Sequence, residues 1–269
     1  MINLPVGVSG RTALDIASDA ARTAGDLVVG NFHSEKEVTF KGRNDVVTNV
    51  DVASETVILD LLRKEYPDFG VLAEESDEIL TESSFSWIVD PIDGTRNYAS
   101  GIPHFCIVVA LQCEGEMVLG VTYDPVRKEM FYAESGKGAY LNGDRVSVSN
   151  KKRLEQCVIG FDLGYVDEKG AMALDLVRSL WPNMQAIRVT GSSALGLAYA
   201  ACGRFDIYFH HHLYPWDIAS GLVLVKEGGG LVVDKKGNET TVKNSSVIGS
   251  SKRLIAEFLE LTNGMEWRL

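Results

Sequence analysis

The chain has 269 residues, 45% apolar and 23% charged, which is the composition of a globular protein able to bury a sizeable core as one large domain or two intimate ones. Its 37 acidic and 26 basic residues leave a formal charge of -11. That balance argues against a nucleic-acid or anionic-membrane surface as the main partner, and it means that any phosphate site here needs a metal to offset repulsion.

The four cysteines, Cys106, Cys113, Cys157 and Cys202, lie in or beside apolar runs with no C-x-x-C spacing, so buried reduced thiols are expected rather than zinc or a disulfide framework. No basic segment leads into an apolar one at the start, and no window approaches about 18 uninterrupted apolar residues. A cytoplasmic location is the expectation.

Leu14, Ala17, Ala21, Ala24 and Val28 recur at steps of three and four, predicting an amphipathic helix from about Thr12 to Phe32. A strand is expected at Glu37–Lys41, then a turn-rich loop at Gly42–Asp45, and a second helix from about Ala53 to Glu65, stopped by Pro67. Asp51, just ahead of that helix, reads either as an N-terminal capping residue or as a site carboxylate. Gly70–Ala73 is a short apolar strand. The acids that follow it form a solvated loop, except that Glu74 stands at the strand exit, where open α/β sheets place ligands.

Trp87-Ile88-Val89 reads as a buried strand cut off by Asp90-Pro91-Ile92-Asp93-Gly94-Thr95. Pro91 fixes φ and removes an N–H, so Asp90 and Asp93 sit on a stiff turn and can converge. Two converging carboxylates need a cation, and all-oxygen ligation suits Mg²⁺, Mn²⁺ or Ca²⁺. Gly94 and Thr95 add N–H groups and a hydroxyl that suit a phosphate. The plainer reading is an ordinary strand-to-turn exit. An aspartyl-phosphate phosphatase loop is disfavoured, because its two acids stand two apart and these stand three apart.

Strands are expected at Phe105–Leu111, Met117–Tyr123 and Met130–Glu134, with a hairpin turn at Leu141–Asp144, giving an antiparallel sheet with its helices on one side. A polar, lysine-rich stretch at Asn150–Gln156 suggests a division into 1–150 and 151–269. Beyond it, strands near Val158–Phe161, Ala186–Val189, Phe205–Phe209, Leu231–Val233 and Val247–Gly249 alternate with helices near Ala171–Leu180, Ser193–Ala201, Asp217–Val225 and Leu254–Leu261. That pattern is a layered α/β unit with an open sheet. Gly191-Ser192-Ser193 offers a serine cap, Asp217 a favourable charge at a helix start, and His210-His211-His212 reads as a strand-end surface run in preference to a metal or acid/base cluster.

Four stretches together resemble the inositol monophosphatase family of magnesium-dependent, lithium-sensitive phosphatases: Asp45-Val-Val-Thr-Asn-Val-Asp51, Ala73-Glu-Glu-Ser76, Trp87-Ile-Val-Asp-Pro-Ile-Asp-Gly-Thr95, and Trp216-Asp217 opening a helix that ends in Glu227-Gly-Gly. Their order and spacing match over nearly the whole chain, as do Gly138–Gly143 and Gly191–Ser193. The resemblance implies a layered αβαβα sandwich, in which an antiparallel sheet with its helices (an α+β half) is followed by a smaller mixed open sheet. It further implies two or three Mg²⁺ ions, replaceable by Mn²⁺, held by Glu74, Asp90, the Ile92 carbonyl, Asp93 and Asp217.

By the same resemblance Thr95 and Asp51, with Glu74, would carry catalysis by orienting and deprotonating the attacking water. Asp93, Gly94, Thr95, Gly191, Ser192, Ser193, His210 and Asp217 would contact substrate, and the chain would form a homodimer. Two positions depart from the common pattern. His210 stands where many of these enzymes have a glutamate for substrate hydroxyls, and Arg96 stands where a threonine is frequent. Inositol-1-phosphate is the first expected substrate, with fructose-1,6-bisphosphate, histidinol phosphate and adenosine 3′,5′-bisphosphate as alternatives. A scaffold that binds another macromolecule is the non-enzymatic alternative.

Overall fold

A computed structural model describes residues 4–40, 42 and 46–269. The expected strand's Lys41 and the Arg43-Asn44-Asp45 part of the loop and of the first motif lie outside the described residues. In chain order the elements are helix α1 (Ala13–Gly30), strands β1 (Val38–Phe40) and β2 (Val46–Thr48), helix α2 (Asn49–Glu65), strands β3 (Gly70–Ala73) and β4 (Phe85–Asp93), and helix α3 (Thr95–Ala99). Strands β5 (Cys106–Cys113), β6 (Glu116–Asp124), β7 (Glu129–Glu134), β8 (Gly138–Leu141) and β9 (Asp144–Val146) follow as a meander. The remainder is β10 (Val158–Phe161), α4 (Asp167–Leu180), β11 (Ala186–Val189), α5 (Ser193–Ala201), β12 (Ile207–His210), α6 (Pro215–Glu227), β13 (Leu231–Val233), β14 (Val247–Ser250) and α7 (Lys252–Leu261).

Strands β3 to β9 form one seven-stranded sheet in chain order, antiparallel except for the parallel β3–β4 pair. A second, five-stranded sheet has the order β11-β10-β12-β14-β13, with β10 parallel to both neighbours and β14 antiparallel to its own. The alanine stripe of α1 explains the first layer: Ala17, Ala20, Ala21 and Ala24 are fully buried, which lets α1 approach Ile58 and Leu62 of α2 while both helices cover Trp87, Val89 and Ile107 of the sheet.

The other face of that sheet is covered by α5 and α6, whose Leu195, Leu197, Ile218 and Leu224 fill the space between the two sheets. The outer face of the second sheet is closed by α4 and α7, with Leu176, Leu254 and Phe258 against Ile159 and Phe209. The result is five layers, αβαβα. The long helices of the first half, α1 and α2, thus share one side of their sheet as expected, and its other side is covered by α5 and α6 of the second half.

Helix α6 packs on five strands of the first sheet, β4 to β8. Gly120 of β6 permits that approach, since a Cβ there would stand 2.7 Å from the Ser220 backbone of α6. The Thr122 and Ser220 hydroxyls share a hydrogen bond of 2.7 Å in the same contact. A division at 150/151 is retained as a proposal.

The sequence reading ends β4 at Val89, but the strand runs on through Asp93. Pairing with β5 goes from Asp90↔Val108 directly to Asp93↔Cys106, so three steps on β4 oppose two on β5. That is a β-bulge, and it tolerates Pro91 because the extra residue leaves the ladder. In a regular strand, residues three apart point to opposite faces. One inserted residue turns Asp93 back to the side of Asp90.

Candidate active site

At the bulge, carboxylate oxygens of Asp90, Asp93 and Asp217 lie within 4.8 Å of one another, and all three residues are buried. Each is aimed by a backbone donor. Ile92 N–H donates to Asp90 Oδ1 at 3.0 Å, and Tyr214 N–H to Asp217 Oδ2 at 2.7 Å, where Asp217 occupies the third position of α6. Asp93 is held from the far sheet: Ser192 donates its hydroxyl to Oδ2, Ala194 N–H reaches Oδ2 at 3.1 Å and Ser193 N–H reaches Oδ1 at 3.2 Å. Ser192 thus sits at the cap position of α5 without capping it through its own side chain. The cap is Asp93, supplied by another sheet.

The electrostatics follow from this crowding. Burial, then Glu74, Asp93 and Asp217, push the Asp90 carboxyl well above its usual range, and Glu74 also shares a hydrogen bond with it. Burial pushes Asp93 up to about 6, against the pull of Ser192 and Ala194. Glu74 adjoins Asp90 but is not one of the three carboxylates of the tight cluster. An all-oxygen set of buried acids that resist sharing negative charge fits a hard divalent cation and suits zinc poorly. Glu74, Asp90, Asp93, Asp217 and the Ile92 carbonyl are the groups available to hold it.

Beside the cluster, Asp51 is not the N-cap of α2, which is Thr48, but the third residue of the helix. Its Oδ2 accepts from the N–H and hydroxyl of Thr48, closing a capping box at the start of α2, while its Oδ1 lies 3.0 Å from the Thr95 hydroxyl. That hydroxyl is also 2.9 Å from the Ile92 carbonyl, so one proton is shared between two acceptors. Burial raises the Asp51 carboxyl despite the hydrogen bonds from Thr48 and Thr95. Gly94 turns the chain from β4 into α3 with φ of 97°, in the left-handed region. A Cβ there would come within 3.1 Å of the Gly191 carbonyl and 3.2 Å of that of His104.

Asp93, Gly94, Thr95, Gly191, Ser193, His210 and Asp217 line one pocket, together with Arg96. The histidine run is not on the surface as expected: His210 is 2% exposed and His211 is 5% exposed. His210 Nδ1 accepts from the His212 N–H at 3.1 Å, and burial holds the imidazole pKa well below its usual value, so the neutral ring carries its proton on Nε2. Arg96 rests over the Tyr165 ring at 5.2 Å and donates to the Gly164 carbonyl at 3.2 Å.

Two contributors escaped the sequence reading. Buried Asp162 accepts from Thr190 N–H at 2.7 Å, Gly191 N–H at 2.6 Å and the Tyr208 hydroxyl at 2.9 Å, which shapes the Gly191 turn. Asn97 donates to the His104 and Thr190 carbonyls, both at 2.8 Å, and ties α3 to that turn. Asp162 stands at the exit of β10, the signal that singled out Glu74 at β3. Asn97 has no local signal.

Carboxylates crowded this way, at the junction of two sheets in an αβαβα sandwich, define a protein built to work with metal ions. The chain belongs to the inositol monophosphatase family, whose model matches residues 11–264, a family of metal-dependent phosphatases. It is 38% identical over 250 residues to the Nus factor SuhB of Escherichia coli K12, covering 91% of this chain and 94% of that one. It is 35% identical over 255 residues to inositol monophosphatase 1 of Solanum lycopersicum, with 92% and 93% covered. The crystal structure of the extragenic suppressor protein suhB from Bartonella henselae superposes with a TM-score of 0.90 at 35% identity, over 93% of this chain and 98% of that one.

Proposed function

We propose that the chain is a Mg²⁺-dependent phosphomonoesterase that cleaves a small polyol phosphate, inositol-1-phosphate first among them, by direct attack of water on phosphorus. The observation that carries the reading is the buried Asp90, Asp93 and Asp217 cluster beside the Thr95–Asp51 hydrogen bond. Two or three Mg²⁺ ions, with Mn²⁺ as a substitute, would polarise the phosphoryl and leaving oxygens and acidify the attacking water.

The chain's own residues do the rest. Thr95 donates its proton to Asp51 and thereby turns a lone pair toward the pocket, where it accepts from the attacking water. Asp51, raised by burial, receives the proton. Amide groups at Gly94 and Thr95 hold the phosphate. Asp93, Asp217, His210 and the Gly191–Ser193 turn orient the alcohol that leaves as the P–O ester bond breaks. We extend the proposal to a cytoplasmic homodimer. Fructose-1,6-bisphosphate, histidinol phosphate and adenosine 3′,5′-bisphosphate are the alternative substrates of the same site.

Relatives named Nus factor favour a second reading, in which the same fold serves a macromolecular partner. The separating experiment is phosphate release from those four esters with Mg²⁺ and with chelator. Mg²⁺-dependent turnover of one of them supports the phosphatase. No release from any ester with Mg²⁺ or Mn²⁺ leaves the second reading.

A further inference from the structure

Beside the histidine run lies a second cavity, of about 370 Å³, between α4, the turn after β13 and the C-terminal turn at Glu266–Arg268. Its walls carry Lys169, Lys235 and His211, and its apolar side is formed by Met172, Trp267 and Leu269. In a chain of charge -11, neither lysine forms an ion pair with a carboxylate among the described residues. Lys169 Nζ is 3.5 Å from His212 Nδ1. The acidic side chain on the rim is the exposed Glu266.

The second observation concerns buried polar atoms. His211 is 5% exposed and Trp267 is 3% exposed, yet neither ring nitrogen of His211 nor the indole N–H has a hydrogen-bond partner among the described residues. A neutral imidazole always bears one N–H and an indole another, so two buried donors lack acceptors. Two ammonium groups therefore stand over an apolar floor, with the two unmet donors buried in the residues behind it and Ser245 completing the lining. The cavity's size and its mixture of apolar lining with few polar groups are those of a small-molecule site.

We propose that this cavity binds a small planar organic anion, an aromatic or heterocyclic ring bearing a carboxylate or a phosphate, at a site separate from the acidic cluster. The charge meets Lys169 and Lys235, and the ring lies against Trp267 and Met172. The location gives the site a regulatory reach. The His211 ring stacks on that of His210, with centroids 4.9 Å apart and planes 19° apart, and His210 lines the acidic pocket. Two stacked rings therefore separate an occupant from the acidic pocket, and any coupling between the two sites is reciprocal.

The test is calorimetric titration of the full chain in chelator with 2-naphthoate, 2-naphthyl phosphate and neutral 2-naphthol. The two anions should bind below about 1 mM and more tightly than the naphthol, and whichever anion binds better identifies the preferred charged group. Lys169→Gln/Lys235→Gln should weaken the anions about ten-fold and leave the naphthol unchanged, with circular dichroism confirming the fold. Trp267→Phe leaves only a smaller aromatic face, removes the N–H and should also weaken the anions. Asp93→Asn should bind them as the unmodified chain does. Equal binding of naphthol and anions, indifference to the double lysine substitution, or a clear change of anion affinity in Asp93→Asn each overturns the proposal, the last because loss of a repelling carboxylate is felt only by a probe in the acidic pocket.

Discussion

Replacing Asp93 with asparagine should stabilise the metal-free protein while abolishing the proposed Mg²⁺-dependent turnover. Asp93 is 5% exposed, and burial raises its carboxyl from 3.8 to about 6, which corresponds to a penalty of about 3 kcal/mol for holding it ionised in the fold. Because the folded value lies above the unfolded one, this group's contribution to stability is complete below about pH 4 and is lost as the pH rises through about 6. Asparagine keeps an acceptor for the α5 amides but gives up the charge at that helix end, worth about 1 kcal/mol.

The net expectation at pH 7.5 is a gain of about 2 kcal/mol, or roughly 4–8 °C in Tm for a chain of this size. Calorimetric melts of both proteins in chelator at pH 4.5 and 7.5 read it directly. The variant should melt higher at pH 7.5, lose that advantage at pH 4.5, and no longer gain stability when Mg²⁺ is added. A variant that melts lower at pH 7.5, or whose difference from the parent is the same at both pH values, refutes the argument that desolvated, mutually repelling acids set the stability of this site.

Asp162→Ala removes the acceptor of the Thr190 and Gly191 amides and of the Tyr208 hydroxyl, leaving buried donors unmet. It should cost about 3 kcal/mol in denaturant melts and, on the proposal that the turn it shapes binds substrate, raise KM more than it lowers kcat. His210→Glu should raise the ratio of kcat/KM for inositol-1-phosphate over fructose-1,6-bisphosphate by roughly ten- to a hundred-fold without changing Mg²⁺ dependence. An unchanged ratio takes His210 out of substrate recognition. Lithium at millimolar concentration should inhibit uncompetitively, and steady-state turnover indifferent to Li⁺ would separate this chain from the behaviour its resemblance implies.

Legibility in the sequence followed the range of the interaction. Periodicity placed α1, β3, β10 and α5 within a residue or two, because each is specified by its own apolar pattern. Helix α2 begins at Asn49 rather than Ala53, and the cause is local: Thr48 and Asp51 stand three apart as a capping box. The true end of β4 was harder to read. Asp-Pro resembles a strand terminator, and only pairing with β5 turns it into a bulge that keeps the strand running. The residue types at the acidic cluster were recognisable, but Asp93 as the cap of α5 was not, since its partners lie about a hundred positions away. Likewise His210 and His211 looked like surface residues until β12 was found between β10 and β14 in the sheet interior.

The hydrogen bonds from Ser192, Ser193 and Ala194 to Asp93 make the site a sensor of its own assembly. Asp90 and Asp93 belong to the stretch before the polar segment at 150–156, and Asp217 to the stretch after it, on a helix that also roofs the first sheet. A chain cut in that segment would yield two pieces, each with an exposed apolar face and an incomplete set of acids. Mixed together, they would regain the proposed phosphatase activity only where the two faces had found each other, so the rate would report the affinity of one half for the other.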